Sequence, residues 1–179
     1  MRYLILVFLI FCSTIGWAQS SIYSISVDSI SGSNQINLAA YSGKKMLIVN
    51  TASLDSLRNE FNELVQLKKL FKDSLIIIVV PSNSFGSEPG SDSSIAAFYT
   101  QNSVYKIPIA AKVAVKGSAI HPLYQWLTQS TQNSVMDSQV KGPFQKYLIN
   151  NHGKLIGVFN PGIRPMDMNL IQAIKTGFN

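Results

Sequence analysis

The spacing of hydrophobic residues changes several times along the chain, and each change predicts a different element. Apolar and polar residues alternate over 22–27 and 35–38, with Ser-Gly-Ser-Asn between them, which predicts a β-hairpin. Residues 46–49 and 75–80 are uninterrupted apolar runs, typical of central strands that are covered on both faces.

The segment between these two runs has helical spacing. From Leu54 onward the apolar residues fall on one face of a helix, which predicts an amphipathic helix with Ser53 as its N-cap and 72–74 as its end. The apolar positions are Leu57, Phe61, Leu64, Val65, Leu67, Leu70 and Phe71.

Three further helices are predicted in the second half of the chain. Serines 91, 93 and 94 offer N-caps for a short helix, and His121-Pro122 begins another. Residues 166–178 form an amphipathic closing helix.

The remaining segments complete an α/β pattern. Residues 107–115 are extended but irregular, 128–140 are polar and predict a loop, and 144–149 and 154–159 predict a hairpin with His152 in its turn. Because a helix connects two apolar strands, the element order predicts an α/β sandwich with a mixed sheet flanked by helices.

The first 18 residues predict a secretory signal peptide. Arg2 supplies the positive charge, 3–12 are apolar, and Gly16-Trp17-Ala18 offers small residues at the cleavage site. A lipoprotein signal ending at Cys12 is the alternative, but Phe11 is bulky for such a site. We therefore expect one domain, residues 19–179, that is exported to the periplasm or secreted.

Composition excludes several classes of function. The sole cysteine, Cys12, lies in the predicted leader, so the exported domain has neither a thiolate nor a disulfide. The formal net charge is +6, but the lysines are scattered, which does not favour nucleic-acid binding. Two histidines without clustered carboxylates predict no metal site, and no cofactor is expected.

Four motifs resemble the glutathione peroxidase family. Residues 50–53 match N-x-A-S, and 81–90 are similar to P-C-N-Q-F-G-x-Q-E-P-G, one residue shorter. His-Pro-Leu-Tyr at 121–124 and Lys-Gly-Pro-Phe-Gln-Lys-Tyr-Leu-Ile at 141–149 are similar to H-P-L-Y/F and K-W-N-F-x-K-F-L-V. The resemblance covers nearly all of residues 19–179. It implies a thioredoxin-like fold and a peroxidase that is reduced by glutathione or thioredoxin.

The catalytic positions that the resemblance implies are all different in this chain. The family's Cys or selenocysteine, Gln, Trp and Asn correspond to Asp55, Ser84, Gly142 and Pro143. The cysteine that some members carry in the loop motif corresponds to Ser82. A carboxylate cannot attack a peroxide and be regenerated by thiols, and the donors that would stabilise the leaving oxygen are missing.

These residues also have structural explanations. Asp55 is expected in the first turn of a helix, where the helix dipole favours a carboxylate, although a general base or cation ligand is the alternative. Pro143 is interpreted as a turn-forming proline, for which a cis peptide bond is one option. His121 is interpreted as a helix-start residue.

The sequence therefore predicts an inactive, exported homologue of glutathione peroxidases that is a binding or interaction module. An unknown protein or small molecule would bind in the former active-site depression, which is lined by Asp55, Asn83, Ser84, Phe85 and Pro143. A peroxidase with a non-cysteine mechanism and a structural role in an envelope assembly are the alternatives. The short 128–140 connection predicts a monomer, with no membrane span after signal cleavage.

Overall fold

The computed structural model describes residues 20–32, 34–101 and 107–177, so the predicted leader lies outside the described residues. The N-terminal hairpin consists of β1 (Ser26–Asp28) and β2 (Gln35–Asn37), which are antiparallel. Both strands are shorter than predicted, because Ile22–Ser24 and Leu38–Tyr41 form 3-10 turns. Ser21 and Asn37 cap these turns by accepting N–H bonds, and this local bonding replaces strand pairing.

The central sheet is mixed, as the sequence predicts. It contains four strands in the order β4-β3-β5-β6, with β3 and β4 parallel and the other pairs antiparallel. Its strands are β3 (Lys45–Thr51), β4 (Leu75–Pro81), β5 (Lys146–Ile149) and β6 (Leu155–Phe159). Residues 46–51 of β3 are all buried, which explains why their apolar run is nearly continuous.

Two hydrophobic clusters cover the two faces of this sheet. Met46 and Ile48 of β3 face one cluster, and Leu47 and Val49 face the other. The described ranges contain five α-helices, which are α1 (Glu60–Phe71), α2 (Asp92–Gln101), α3 (Pro122–Thr128), α4 (Ser130–Asn133) and α5 (Met168–Thr176). Helix α3 packs into the first cluster, whereas α1 and α5 pack into the second. In the described ranges no helix has the length and apolar character needed to cross a membrane.

The start of α1 differs from the prediction. The helix begins at Glu60, and residues 53–59 form consecutive turns. Ser53 does not cap a helix, because its hydroxyl donates instead to the carboxylate of Glu88. Leu54, which the helical spacing placed at the start of the helix, is 64% exposed.

The two irregular segments behave largely as predicted. In 107–115, Ile109 bridges to Val79 of β4 and Ala110 bridges to Ser29, so this segment joins the hairpin to the main sheet. The predicted 128–140 loop contains the single turn of α4. The Ser130 N–H at the start of that turn donates to the Asp137 carboxylate at 2.6 Å, which ties the turn to the loop that follows it.

A buried ion pair connects α1 to β5. The Lys146 side chain is fully buried, and its Nζ lies 2.6 Å from Oε2 of Glu60. Lys146 also donates to the carbonyl of Ile163. Burial raises the pKa of Glu60 and lowers the pKa of Lys146, while the hydrogen bond between them opposes both shifts. The pair fixes the start of α1 against the strand that follows the Gly142-Pro143 turn.

Removing one partner of this pair tests its importance. Lys146→Met leaves the Glu60 carboxylate buried without a counter-charge, so we expect a loss of about 3–5 kcal/mol in the free energy of unfolding. Urea denaturation measures this loss. The double variant with Glu60→Gln should recover part of it, because no buried charge remains. A loss below about 1 kcal/mol for Lys146→Met would show that the pair is not a major constraint.

Candidate functional site

The carboxyl end of β3 forms hydrogen bonds with the loops that contain the predicted site residues. The Asn50 carbonyl accepts the Phe144 N–H at 2.6 Å. The side-chain Nδ2 of Asn50 donates to the Gly142 carbonyl at 2.8 Å. The neighbouring Thr51 carbonyl accepts the Ser82 N–H at 3.0 Å. Two consecutive residues of one strand thus position the 142–144 turn and the 82–90 loop.

Asp55 lies in the turns that follow β3 and is half-buried. Its Oδ1 accepts the Leu57 N–H at 2.9 Å, and its carbonyl accepts the Arg58 N–H at 3.1 Å. The expected position in the first turn of a helix is therefore wrong, because α1 begins five residues later and the dipole effect is confined to a helix's own end. Its carboxylate closes an Asx turn instead.

A buried carboxylate joins the Asp55 turn to the 82–90 loop. Glu88 is fully buried, with Oε1 accepting the Ser53 hydroxyl at 2.5 Å and Oε2 accepting the Ser53 N–H at 2.6 Å. The Leu54 N–H donates to the Ser87 carbonyl at 3.2 Å. We call the contact between Ser53 and Glu88 the Ser53–Glu88 clamp. Sequence reasoning gave Glu88 no role, because its partner lies 35 residues away.

The charge of Glu88 also acts on the interior. None of the ion pairs in the described ranges includes this carboxylate. Burial, together with the negative charge of Glu88, raises the pKa of the Tyr99 hydroxyl well above its usual value. The raised pKa favours the neutral phenol of Tyr99.

The loop motif uses most of its polar groups internally. Ser84 Oγ accepts the Val115 N–H and the Ser82 hydroxyl, each at 3.1 Å. Asn83 is exposed, and its Oδ1 accepts the Glu88 N–H at 3.0 Å. Phe85 is half-buried, with Nζ of Lys116 3.8 Å from its ring centroid.

The turn at Gly142-Pro143 lies close to Pro161. A Cβ on Gly142 would lie 3.3 Å from Cγ of Pro161, closer than an ordinary contact. The Pro143 peptide bond is trans, so the cis option is wrong. Phe144 is fully buried with a φ of 61°, a left-handed conformation that costs a bulky residue about 1–2 kcal/mol. Its bond to Asn50 helps to hold this conformation.

The five predicted ligand-binding residues surround the end of β3 but do not line one common cleft. A cleft of ≈330 Å³ is lined by Asn83 and Ser84 with three residues of the 112–114 segment. Another, of ≈380 Å³, is lined by Ser56, Leu57, Asn59, Glu60, Gly162 and Arg164. Neither cleft includes Asp55, Phe85 or Pro143 in its lining. A ligand that contacts all five residues stays a prediction.

The histidines occupy the predicted positions. His121 precedes α3, and its Nδ1 accepts the Leu123 N–H at 3.1 Å, which confirms it as the helix-start residue. Burial lowers its pKa, which favours the neutral form that this acceptor role requires. His152 is exposed in the β5–β6 turn.

Comparisons with known proteins agree with this geometry. A family model described as "Glutathione peroxidase" matches residues 22–128. Glutathione peroxidase homolog BsaA of Staphylococcus epidermidis is 37% identical over 150 residues, covering 83% of this chain and 94% of the relative. Glutathione peroxidase homolog BsaA of Halalkalibacterium halodurans is 36% identical over 148 residues, covering 82% of this chain and 93% of the relative. The crystal structure of Trgpx in apo form, 28% identical, matches with a TM-score of 0.65 and covers 88% of this chain and 97% of that chain.

The Ser53–Glu88 clamp can be tested by a double-mutant cycle. Glu88→Gln replaces one acceptor oxygen by an NH₂ group that cannot accept the bond from Ser53, so we expect a loss of about 1–3 kcal/mol in the free energy of unfolding. Ser53→Ala should lose less, and the double variant should show a coupling above about 0.5 kcal/mol. Urea denaturation of the four proteins provides the numbers. Additive losses would contradict a direct clamp.

Proposed function

The chain belongs to the glutathione peroxidase family, and we propose that it is an exported member that no longer reduces peroxides and is a binding or interaction module. The observation that carries this proposal is the carboxylate of Asp55 at the position of the family's sulfur or selenium. The pattern of residues 1–18 supports export.

The chemistry of Asp55 supports the loss of activity. In a thiol peroxidase, a thiolate donates an electron pair to one peroxide oxygen, becomes a sulfenic acid and is then reduced by a second thiol. A carboxylate has no equivalent oxidation state that thiols reverse. Residues 19–179 contain no cysteine, so no other residue supplies the sulfur.

The surroundings of Asp55 support the same conclusion. Peroxide cleavage needs hydrogen-bond donors around the leaving oxygen. Ser84 is shorter than the family's Gln, and its Oγ is held in place by accepting bonds from Val115 and Ser82. Gly142 has no side chain, and Pro143 has no N–H. Each replacement is packed or hydrogen-bonded in its own right, which is the expected state of a scaffold that has lost one function and kept its stability.

Peroxide turnover tests the proposal directly. We expect residues 19–179, with hydrogen peroxide or an organic hydroperoxide and with glutathione or thioredoxin as the reductant, to consume peroxide at the rate of the protein-free mixture. A peroxidatic relative of the family is the positive control. Turnover well above that background would establish a non-cysteine peroxidase and contradict the proposal. This holds whether the Asp55→Asn variant retains the turnover or loses it.

Restoring the sulfur alone should not restore the enzyme. In Asp55→Cys we expect a thiol that is oxidised by peroxide as slowly as an ordinary cysteine, because the donor groups are still missing. Mass spectrometry after trapping of the sulfenic acid measures this rate, with a Ser56→Cys variant as the matched control for an exposed thiol in the same turn. Oxidation of Asp55→Cys at the rate of an active family member would contradict the loss of the donor site.

A further inference from the structure

Two open clefts near the candidate site follow residues 112–117. The cleft lined by Asn83 and Ser84 includes residues 112–114, and a second cleft of ≈220 Å³ includes residues 115–117 of the same run. Val115 and Val140 belong to the cluster on the first face of the sheet, and Phe85 and Ile120 pack against it. Because consecutive residues line them and the Val115 N–H donates to Ser84, the two clefts are neighbours along this run, and we call them together the 112–117 groove.

The side chains that line the groove include two lysines and no carboxylate, although the Asp92 carboxylate bonds to the Lys112 N–H from outside the lining. Lys112 and Lys116 are the charged residues of its lining, and no Asp or Glu lines either cleft. In contrast, the ≈540 Å³ cleft beside the N-terminal hairpin is lined by Asp28 and Asp92. A concave surface with charge of one sign attracts ligands of the opposite sign.

Both lysines can still bind a ligand. Nζ of Lys112 donates to the Gly90 carbonyl at 2.6 Å and to the Glu88 carbonyl at 3.4 Å, which leaves one of its three donors. Lys116 is exposed and lies over the Phe85 ring, so its ammonium is held in place but not neutralised. The two ammonium groups are therefore fixed points for anions.

The groove favours side-chain recognition over strand addition. The N–H groups of Lys112, Val113 and Val115 already donate to Asp92, Pro81 and Ser84. The backbone of this segment consequently offers few free donors to an added strand. Apolar surface is provided instead by Val113, which lies between the two lysines in the sequence, and by Ile120, which lines the second cleft.

We propose, resting on the proposed binding function, that the 112–117 groove binds an extended acidic polypeptide segment. Two of its carboxylates pair with Lys112 and Lys116, and an apolar residue between them packs against the groove wall. The lysines are four residues apart, at most about 14 Å along the chain, so the matching carboxylates are about four residues apart in an extended peptide. Two open clefts that follow one another along the chain fit an extended peptide better than a compact small molecule.

The test uses fluorescence anisotropy with residues 19–179 and a labelled ten-residue peptide. The peptide carries two glutamates four residues apart with a leucine between them, in a Gly-Ser background, and the control peptide has glutamines instead. We expect the glutamate peptide to bind at least about tenfold more tightly at low salt, and the difference to shrink at 0.5 M salt. Equal binding of the two peptides would overturn the inference.

Three variants locate the site. Lys116→Gln should weaken binding about three- to fivefold, and Lys116→Glu should weaken it further. Lys69→Gln is the matched control, because Lys69 is exposed on α1, which packs on the other face of the sheet. Lys112→Gln is interpreted only if its unfolding curve is unchanged, since Lys112 also holds Gly90. Unchanged binding in both Lys116 variants, or an equal loss in Lys69→Gln, would contradict the site.

Two further outcomes separate this inference from the proposed function. If the peptide does not bind and peroxide turnover is absent, the acidic-peptide inference fails and the inactive binding module stands. If turnover is present, the proposed function fails irrespective of the peptide. Tighter binding to vesicles of anionic lipid than to the peptide, abolished by Lys116→Glu, would assign the groove to a membrane surface and overturn the peptide as its ligand.

Discussion

The hydrogen bonds at the carboxyl end of β3 are the constraint on which the candidate site depends. Asn50 and Thr51 are buried, and they bond to the turn before β5 and to the loop after β4. Because β3 lies between β4 and β5, its backbone can reach both neighbours at the same point. The Ser53–Glu88 clamp then fixes the chain that leaves β3. The frame of the site is therefore independent of the identity of residue 55.

This independence explains how the catalytic positions could change without loss of the fold. Asp55 closes a turn, Ser84 bonds to a neighbouring N–H, and Gly142 packs against Pro161, so each satisfies a local requirement. The strained φ of Phe144 persists because its N–H is bound to Asn50 and its side chain is buried. Each of these contacts stabilises the loop or turn that contains it.

Sequence patterns predicted the elements whose determinants are local. The apolar runs of β3 and β4 and the His121 cap of α3 have their signals within a few residues, and all three are present. The start of α1 was wrong because the Ser53 side chain, a good cap in isolation, is taken by a carboxylate from another loop. The pairing of Lys146 with Glu60, 86 residues apart, was equally invisible, although a lysine inside an apolar strand was a signal that it needs a partner.

The distribution of unsatisfied charge shifts attention from the former catalytic position to the surface beside it. Asp55 and Glu88 both accept backbone N–H bonds, so their charges are partly compensated within the turn that they stabilise. Lys116, by contrast, lies over the face of an aromatic ring and takes part in no ion pair within the described residues, and Lys112 keeps one donor beyond its two carbonyl bonds. A ligand gains most where charge is fixed and uncompensated, because the protein has already ordered the side chain that binds it. On this ground we propose the 112–117 groove, rather than the surroundings of Asp55, as the part of the scaffold best prepared for recognition.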